Sequence, residues 1–163
     1  MRKVIGRLLL TAMGWKEEGE LSPEPKAVMI AAPHTTNWDL PLMLALAYVY
    51  GIEIKWMGKQ SIFKPPFGWL MKAWGGVPIV RSERRNTVQQ MCDLFEASEG
   101  LILMVPAEGT RGRVEYWKSG FYRIAEGADV PIILGYLDYA RKRGGFGPAL
   151  RPTGDISADM DVI

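Results

Sequence analysis

Three groups of residues have types and spacing suited to chemistry. The first is His34, followed five positions later by Asp39. A carboxylate that accepts a hydrogen bond from one imidazole nitrogen fixes the tautomer. The other nitrogen is then free to take a proton from a substrate hydroxyl. Such a pair needs no serine or cysteine of its own when the nucleophile is the acceptor's alcohol. The same two residues also fit a structural histidine and an acid that complements a helix N-terminus. The second group is Glu108-Gly109-Thr110-Arg111-Gly112-Arg113. Its glycines permit close backbone approach, and its arginines with free N–H groups make an anion cradle. It also reads as an ordinary polar loop after a strand, and it is not a Walker loop, because Gly-x4-Gly-Lys-Ser/Thr is absent. The third group is the short apolar segment 75–81, which ends in Arg81 and would deliver a cation to the sheet edge that carries His34. Lys59 adds a second cation or is simply an exposed lysine. Cys92, beside Met91 and Phe95, reads as a small core residue rather than a nucleophile.

Composition narrows the classes. One histidine and one cysteine among 163 residues exclude an intramolecular disulfide and a histidine-rich metal site. Twenty Lys and Arg against 18 Asp and Glu leave +2, too little for a nucleic-acid footprint. With 48% apolar and 23% charged residues the chain is folded, and its length fits one domain over 1–163. Eighteen glycines and 11 prolines make it rich in loops.

The elements that must position these residues are legible from apolar patterning. After the proline-rich linker 21–26, residues 27–32 read as a buried strand that ends at His34. Residues 40–50 read as a helix, 52–57 as a second strand, 66–74 as a short helix and 77–80 as a third strand. Asn86 and Gln89 have capping-box spacing and open a helix with Val88, Met91 and Phe95 inward. Residues 101–105 form the next strand, 117–128 a helix, 130–137 a strand and 147–152 an edge strand after a turn at 141–145. This alternation predicts an α/β fold, a single mostly parallel or mixed sheet flanked by helices. The chemistry-bearing residues follow the carboxyl ends of the strands, where open α/β sheets place ligands.

Residues 40–52 lack charge but span only 13 positions and contain Pro41, so they read as a buried helix rather than a membrane span. Residues 1–14 are too broken by Arg7 for a signal peptide. They form an amphipathic helix with Ile5, Leu8, Leu9 and Ala12 on one side and Lys3, Arg7 and Thr11 along another. That helix either docks on the protein's own core or lies on an anionic lipid surface. The six tryptophans fall among apolar neighbours and read as mostly core or interface; Trp56, Trp69 and Trp74 also suit a headgroup-level surface.

In order and spacing, His34-x4-Asp39, Gly76 to Arg81, Glu108-Gly109-Thr110-Arg111 and Val130-Pro131-Ile132 resemble the PlsC-type glycerolphosphate and lysophospholipid acyltransferases, over residues 27–137. The first and third blocks are the specific ones, and residues 58–70 are similar to the family's linker. The resemblance implies a glycerolphosphate acyltransferase-like fold and acyl transfer from acyl-CoA or acyl-carrier protein to a lysolipid or glycerolphosphate hydroxyl. In that reading His34 is the general base and Asp39 its orienting partner. Glu108, Gly109, Thr110 and Arg111 shape the acceptor pocket, Arg81 and Lys59 hold its phosphate, and Pro131 supports the floor. No cofactor or metal is implied, since the thioester is a substrate. The implied location is the cytoplasmic face of an anionic membrane, held peripherally, with no nucleic-acid partner. Pro33 stands where many members have Asn, and Ala107 separates Pro106 from Glu108 where Pro usually adjoins Glu. These departures bear on acceptor preference. Members are often longer, with a more hydrophobic N-terminal element; residues 155–163 read as a helix cut off soon after it begins, as in a compact variant or a truncated chain. A non-catalytic lipid- or carrier-binding protein on the same fold and an acyl hydrolase are the alternatives.

Overall fold

The computed structural model describes residues 1–163 apart from 22, 80–83, 110, 111 and 113, and leaves out the side chains of 84–86. The chain runs α1 (Arg2–Ala12), β1 (Lys16–Glu18), β2 (Lys26–Ala32), α2 (Asp39–Tyr50), β3 (Ile54–Lys59), a 3-10 turn (Gln60–Phe63), α3 (Gly68–Ala73) and β4 (Gly76–Ile79). It continues through α4 (Arg84–Glu96), β5 (Leu101–Pro106), α5 (Gly120–Gly127), β6 (Ile132–Asp138), β7 (Arg143–Leu150) and α6 (Ile156–Val162). The strands form one mixed sheet in the order β1-β7-β6-β2-β5-β3-β4. Only the β6–β7 pairing is antiparallel, so β2, β3, β4, β5 and β6 all end at one edge.

Central β2 explains the architecture. Ala27, Val28, Met29 and Ile30 are all buried, a continuous apolar run that belongs in a sheet covered on both faces. Ala27 and Met29 face the layer of α1 and α2, with Leu10, Leu42, Leu46 and Trp56. Val28 and Ile30 face Met91, Phe95, Phe121 and Ile124 of α4 and α5. The observed fold is the α/β arrangement expected from the alternation. The uncharged run 40–52 is indeed a buried helix, with Leu42, Met43, Ala45, Leu46 and Ala47 at 2% exposure or less.

Several boundaries differ. β3 starts at Ile54, two residues late, and α5 starts at Gly120, because Trp117 and Lys118 still belong to the loop. α4 opens at Arg84, ahead of Asn86, whose capping side chain lies outside the described residues. The expected edge strand at 147–152 is instead β7, which is longer, starts at Arg143 and lies inside the sheet; the edge is β1, a three-residue strand paired with it. A strand so short carries no readable period. Of the tryptophans only Trp15 and Trp56 are buried, whereas Trp38, Trp69, Trp74 and Trp117 are exposed.

Helix α1 docks on α2 through Gly6 and Leu10, both buried, and not through the side bearing Ile5, Leu8 and Leu9. A Cβ at Gly6 would lie 2.6 Å from the Ala45 carbonyl oxygen and 2.9 Å from Tyr48 Cβ, so only glycine lets the helices meet this closely. Glycine-to-alanine inside a helix ordinarily stabilises by about 1 kcal/mol. Here the sign should reverse: Gly6→Ala is expected to destabilise by about 1–3 kcal/mol, through the overpacking of a closed contact. A lower midpoint in urea denaturation checks it, and an unchanged or higher midpoint contradicts it.

Candidate active site

Beyond Ala32 the chain passes over the sheet edge and turns back into α2, whose first residue is Asp39. Asp39 is 4% exposed and is the only buried charged side chain among the described residues. Its Oδ2 accepts from His34 Nδ1 at 2.9 Å and from the amides of Thr35 and Thr36 at 2.7 and 3.0 Å. Its Oδ1 accepts from the Thr36 hydroxyl at 3.2 Å and from the Tyr139 hydroxyl. The Thr36 hydroxyl also accepts from the Trp38 amide at 3.0 Å. Asp39 therefore does not serve its helix end. Its bonds reach back to the loop before α2 and across to the residue after β6.

Burial alone pushes the Asp39 carboxyl up. Its bonds from Tyr139, from the Thr36 and Thr35 amides and from the Thr36 hydroxyl outweigh that push and hold it below the usual carboxylate range. An ionised Asp39 can only accept, so His34 Nδ1 carries the hydrogen and Nε2 the lone pair. The His34 side chain is 26% exposed, and among the described residues no hydrogen bond engages Nε2. The Tyr139 hydroxyl is pushed up by burial and by its bond to Asp39, which keeps it a donor.

The neighbouring strand contributes the next group. β5 lies beside β2 with Pro106 opposite Ala31, so the loop after β5 leaves the sheet next to the His34 loop. Glu108 Oε2 accepts from the His34 backbone amide at 2.9 Å, which fixes the histidine from its main chain. Gly109 has φ +65°, and a Cβ there would sit 2.8 Å from Lys118 Cδ, so both backbone sign and space favour glycine. Lys59 ends β3 opposite Ile79, exposed at this same edge. Arg81, Thr110 and Arg111 lie outside the described residues.

Two positions correct the sequence reading. Pro131 does not form a floor: it precedes β6 at the opposite edge, where its carbonyl accepts from the Val28 amide at 2.9 Å. The residue that β6 brings to the site is Tyr139, just past its carboxyl end, which the sequence reading missed. A usable signal existed, since the strand-end rule that selects His34 and Glu108 selects Tyr139 as well. Thr36, inside the first block but given no role there, is the other omission. Cys92 lies half-buried with Sγ 3.9 Å from the Ile124 carbonyl oxygen, and burial and Asp93 push its thiol up, away from nucleophilic character.

With this geometry in view, the comparisons with known proteins are informative. A family model described as Acyltransferase matches residues 16–134. The chain is 31% identical over 105 residues to the 1-acyl-sn-glycerol-3-phosphate acyltransferase BAT2, chloroplastic, of Brassica napus, across 61% of this chain. It spans only 29% of that relative's length. The crystal structure of the 1-acyl-sn-glycerophosphate (LPA) acyltransferase PlsC from Thermotoga maritima shares the fold, with TM-score 0.65 at 17% identity, covering 97% of this chain and 71% of that one. The match takes in β1 through β5 and both the His34 and Glu108 loops, and on it the chain belongs to the Acyltransferase family.

Proposed function

We propose that the chain is one acyltransferase domain that moves a fatty acyl group from acyl-CoA or an acyl-carrier-protein thioester to a lysophospholipid or glycerolphosphate hydroxyl. One observation carries this reading: a histidine whose Nδ1 is held by an ionised, buried carboxylate and whose Nε2, among the described residues, is unengaged at the carboxyl edge of the sheet. The Brassica relative, a 1-acyl-sn-glycerol-3-phosphate acyltransferase, supports the same class of reaction.

In this reading Nε2 takes the proton of the acceptor hydroxyl as its oxygen attacks the thioester carbonyl carbon. The tetrahedral intermediate collapses with cleavage of the carbon–sulfur bond, and the departing thiolate recovers the proton from the imidazolium. Asp39 stabilises that imidazolium while it exists. The amides of His34, Thr35 and Thr36 are already bound to Glu108 and Asp39, so the intermediate's oxyanion takes its donors elsewhere. Lys59, with Arg81 and Arg111, supplies positive charge for the acceptor phosphate. Glu108, Gly109 and Thr110 shape the loop beside it.

The membrane part of the reading rests on what the surface exposes. Leu8 is 64% exposed and Leu9 47%, with Arg2, Lys3 and Arg7 on the same helix. On the same layer of the sheet, Phe67 and Trp69 of the α3 region are also exposed. No acid occurs between Glu53 and Glu83, against Lys55, Lys59, Lys64, Lys72 and Arg81. Apolar and aromatic side chains beside this excess of cations, of which Arg2 pairs with Glu53 and Arg7 with Glu17, support the reading of a protein held peripherally on an anionic bilayer at the cytoplasmic face. Among the described residues no helix is long and apolar enough to cross a membrane.

Three outcomes follow. His34→Ala should retain the fold and lower turnover of lysophosphatidic acid with long-chain acyl-CoA, followed by thiol release, by roughly 10²–10⁴-fold; an unchanged rate removes the base. Asp39, held below the usual range, stays ionised where imidazole titrates, and only neutral His34 accepts a proton. The logarithm of the rate should therefore rise with pH along a single acid limb of unit slope, and a limb of slope two, or none, contradicts one-base chemistry. Finally, the double variant Leu8→Gln, Leu9→Gln alters no buried core residue and should keep its thermal midpoint. Its co-sedimentation with phosphatidylglycerol vesicles should weaken about tenfold or more, from lost apolar burial; equal co-sedimentation refutes the surface.

A further inference from the structure

The acid of the dyad is held from two sides. Its Oδ2 lies among groups of its own loop, the Thr35 and Thr36 amides and His34 Nδ1. Its Oδ1 is reached by Tyr139, one hundred residues away in sequence. The Thr36 hydroxyl also touches Oδ1, but it moves with the loop, whereas Tyr139 is anchored to the sheet. Its ring stands edge-on to buried Trp15, with centroids 5.0 Å apart and planes at 87°. Trp15 in turn donates its amide to the Leu10 carbonyl at 2.8 Å, at the end of α1.

We propose that Tyr139 is a positioning residue for the His34–Asp39 pair: its hydroxyl pins Asp39 Oδ1 so that Oδ2 stays aimed at His34 Nδ1, and the Trp15 ring fixes the hydroxyl's place. This rests on the reading of His34 as the base. Without Tyr139, every remaining bond to Asp39 among the described residues comes from residues 34–36, so nothing would tie the carboxylate to the sheet. Tied at both oxygens by separate elements, it cannot turn without breaking a bond.

The other charged groups around the pair are already committed. Glu108 bonds the His34 backbone amide. Asp138, next to Tyr139, is bonded by Arg141 Nε at 2.7 Å. Glu18 accepts from Tyr136 at 3.3 Å and from Arg141 at 3.4 Å. Among the described residues none of these bonds Asp39, so the hydroxyl of Tyr139 is the one side-chain donor to it from outside the His34 loop.

The chain's single histidine makes the test clean, because the imidazole ¹⁵N and ¹³C signals need no assignment. Tyr139→Phe keeps the ring against Trp15 and removes the hydroxyl, with its bond to Asp39 and its 3.1 Å contact with the Thr36 hydroxyl. The His34 titration midpoint should then fall by roughly 0.5 pH unit or more, since an Oδ2 no longer held in line with Nδ1–H stabilises the imidazolium less. With acyl-CoA and lysophosphatidic acid, kcat should fall about tenfold with KM unchanged, and the acid limb should move downward by the same interval. As a second variant, fluorotyrosine placed at 139 retains the hydroxyl and should keep the midpoint and kcat near those of the parent protein. A midpoint unmoved or raised in Tyr139→Phe overturns the proposal. A lowered midpoint in a protein without turnover supports the positioning role and refutes the acyltransferase reading instead.

Discussion

Burying the Asp39 charge is the constraint on which the rest of the site depends. An ionised carboxylate taken out of water is destabilising by several kcal/mol unless hydrogen bonds replace its solvation. Asp39 receives them from His34, Thr35, Thr36 and Tyr139. These donors come from two places that meet only because β2 and β6 are adjacent and in register, with Tyr136 opposite Ala32. A slip of one residue would turn every side chain of β6 to the other face and move Tyr139 off the carboxylate. The hydrophobic core that fixes this register is thus also what keeps the histidine in one tautomer.

The sheet's direction does the rest. Parallel strands joined by covering helices bring all their carboxyl ends to one edge. The His34 loop, the Glu108 loop, Lys59 and Tyr139 leave from four different strands of that edge. Glu108 acts on the His34 backbone and Asp39 on its ring, so the histidine is held at both ends of its side chain. Both contacts come from the chain itself, and together they orient the imidazole.

How much of this was legible in the sequence follows from the range of each interaction. β2 and α2 are strongly patterned and self-evident, and the H-x4-D spacing is local enough for His34 and Asp39 to meet within one turn of chain. Glu108 and Tyr139 are separated from their partners by 74 and 100 residues, and no period reports such a contact. The strand-end rule locates both residues but not what they touch. Pro131 illustrates the opposite error: it belongs to a recognisable block, yet its end of the strand faces away from the site. Short β1 escaped notice because three residues with two exposed give no alternation to read.

Helix α1 shows why amphipathic pattern and burial need not coincide. An apolar stripe on a helix ordinarily marks the face that packs inward. Here the small Gly6 lets the backbone of α1 lie against Ala45 and Tyr48, and close approach of two helices buries most contact where side chains are smallest. The larger residues Leu8 and Leu9 are turned away from α2 by the same geometry. The helix is therefore attached through its smallest residue and Leu10, and leaves Ile5, Leu8 and Leu9 exposed. Leu10, one residue beyond the stripe, completes the anchor and leads directly to Trp15, whose ring walls the Tyr139 phenol. The outward stripe and the Asp39 carboxylate are thus joined through Leu10, Trp15 and Tyr139.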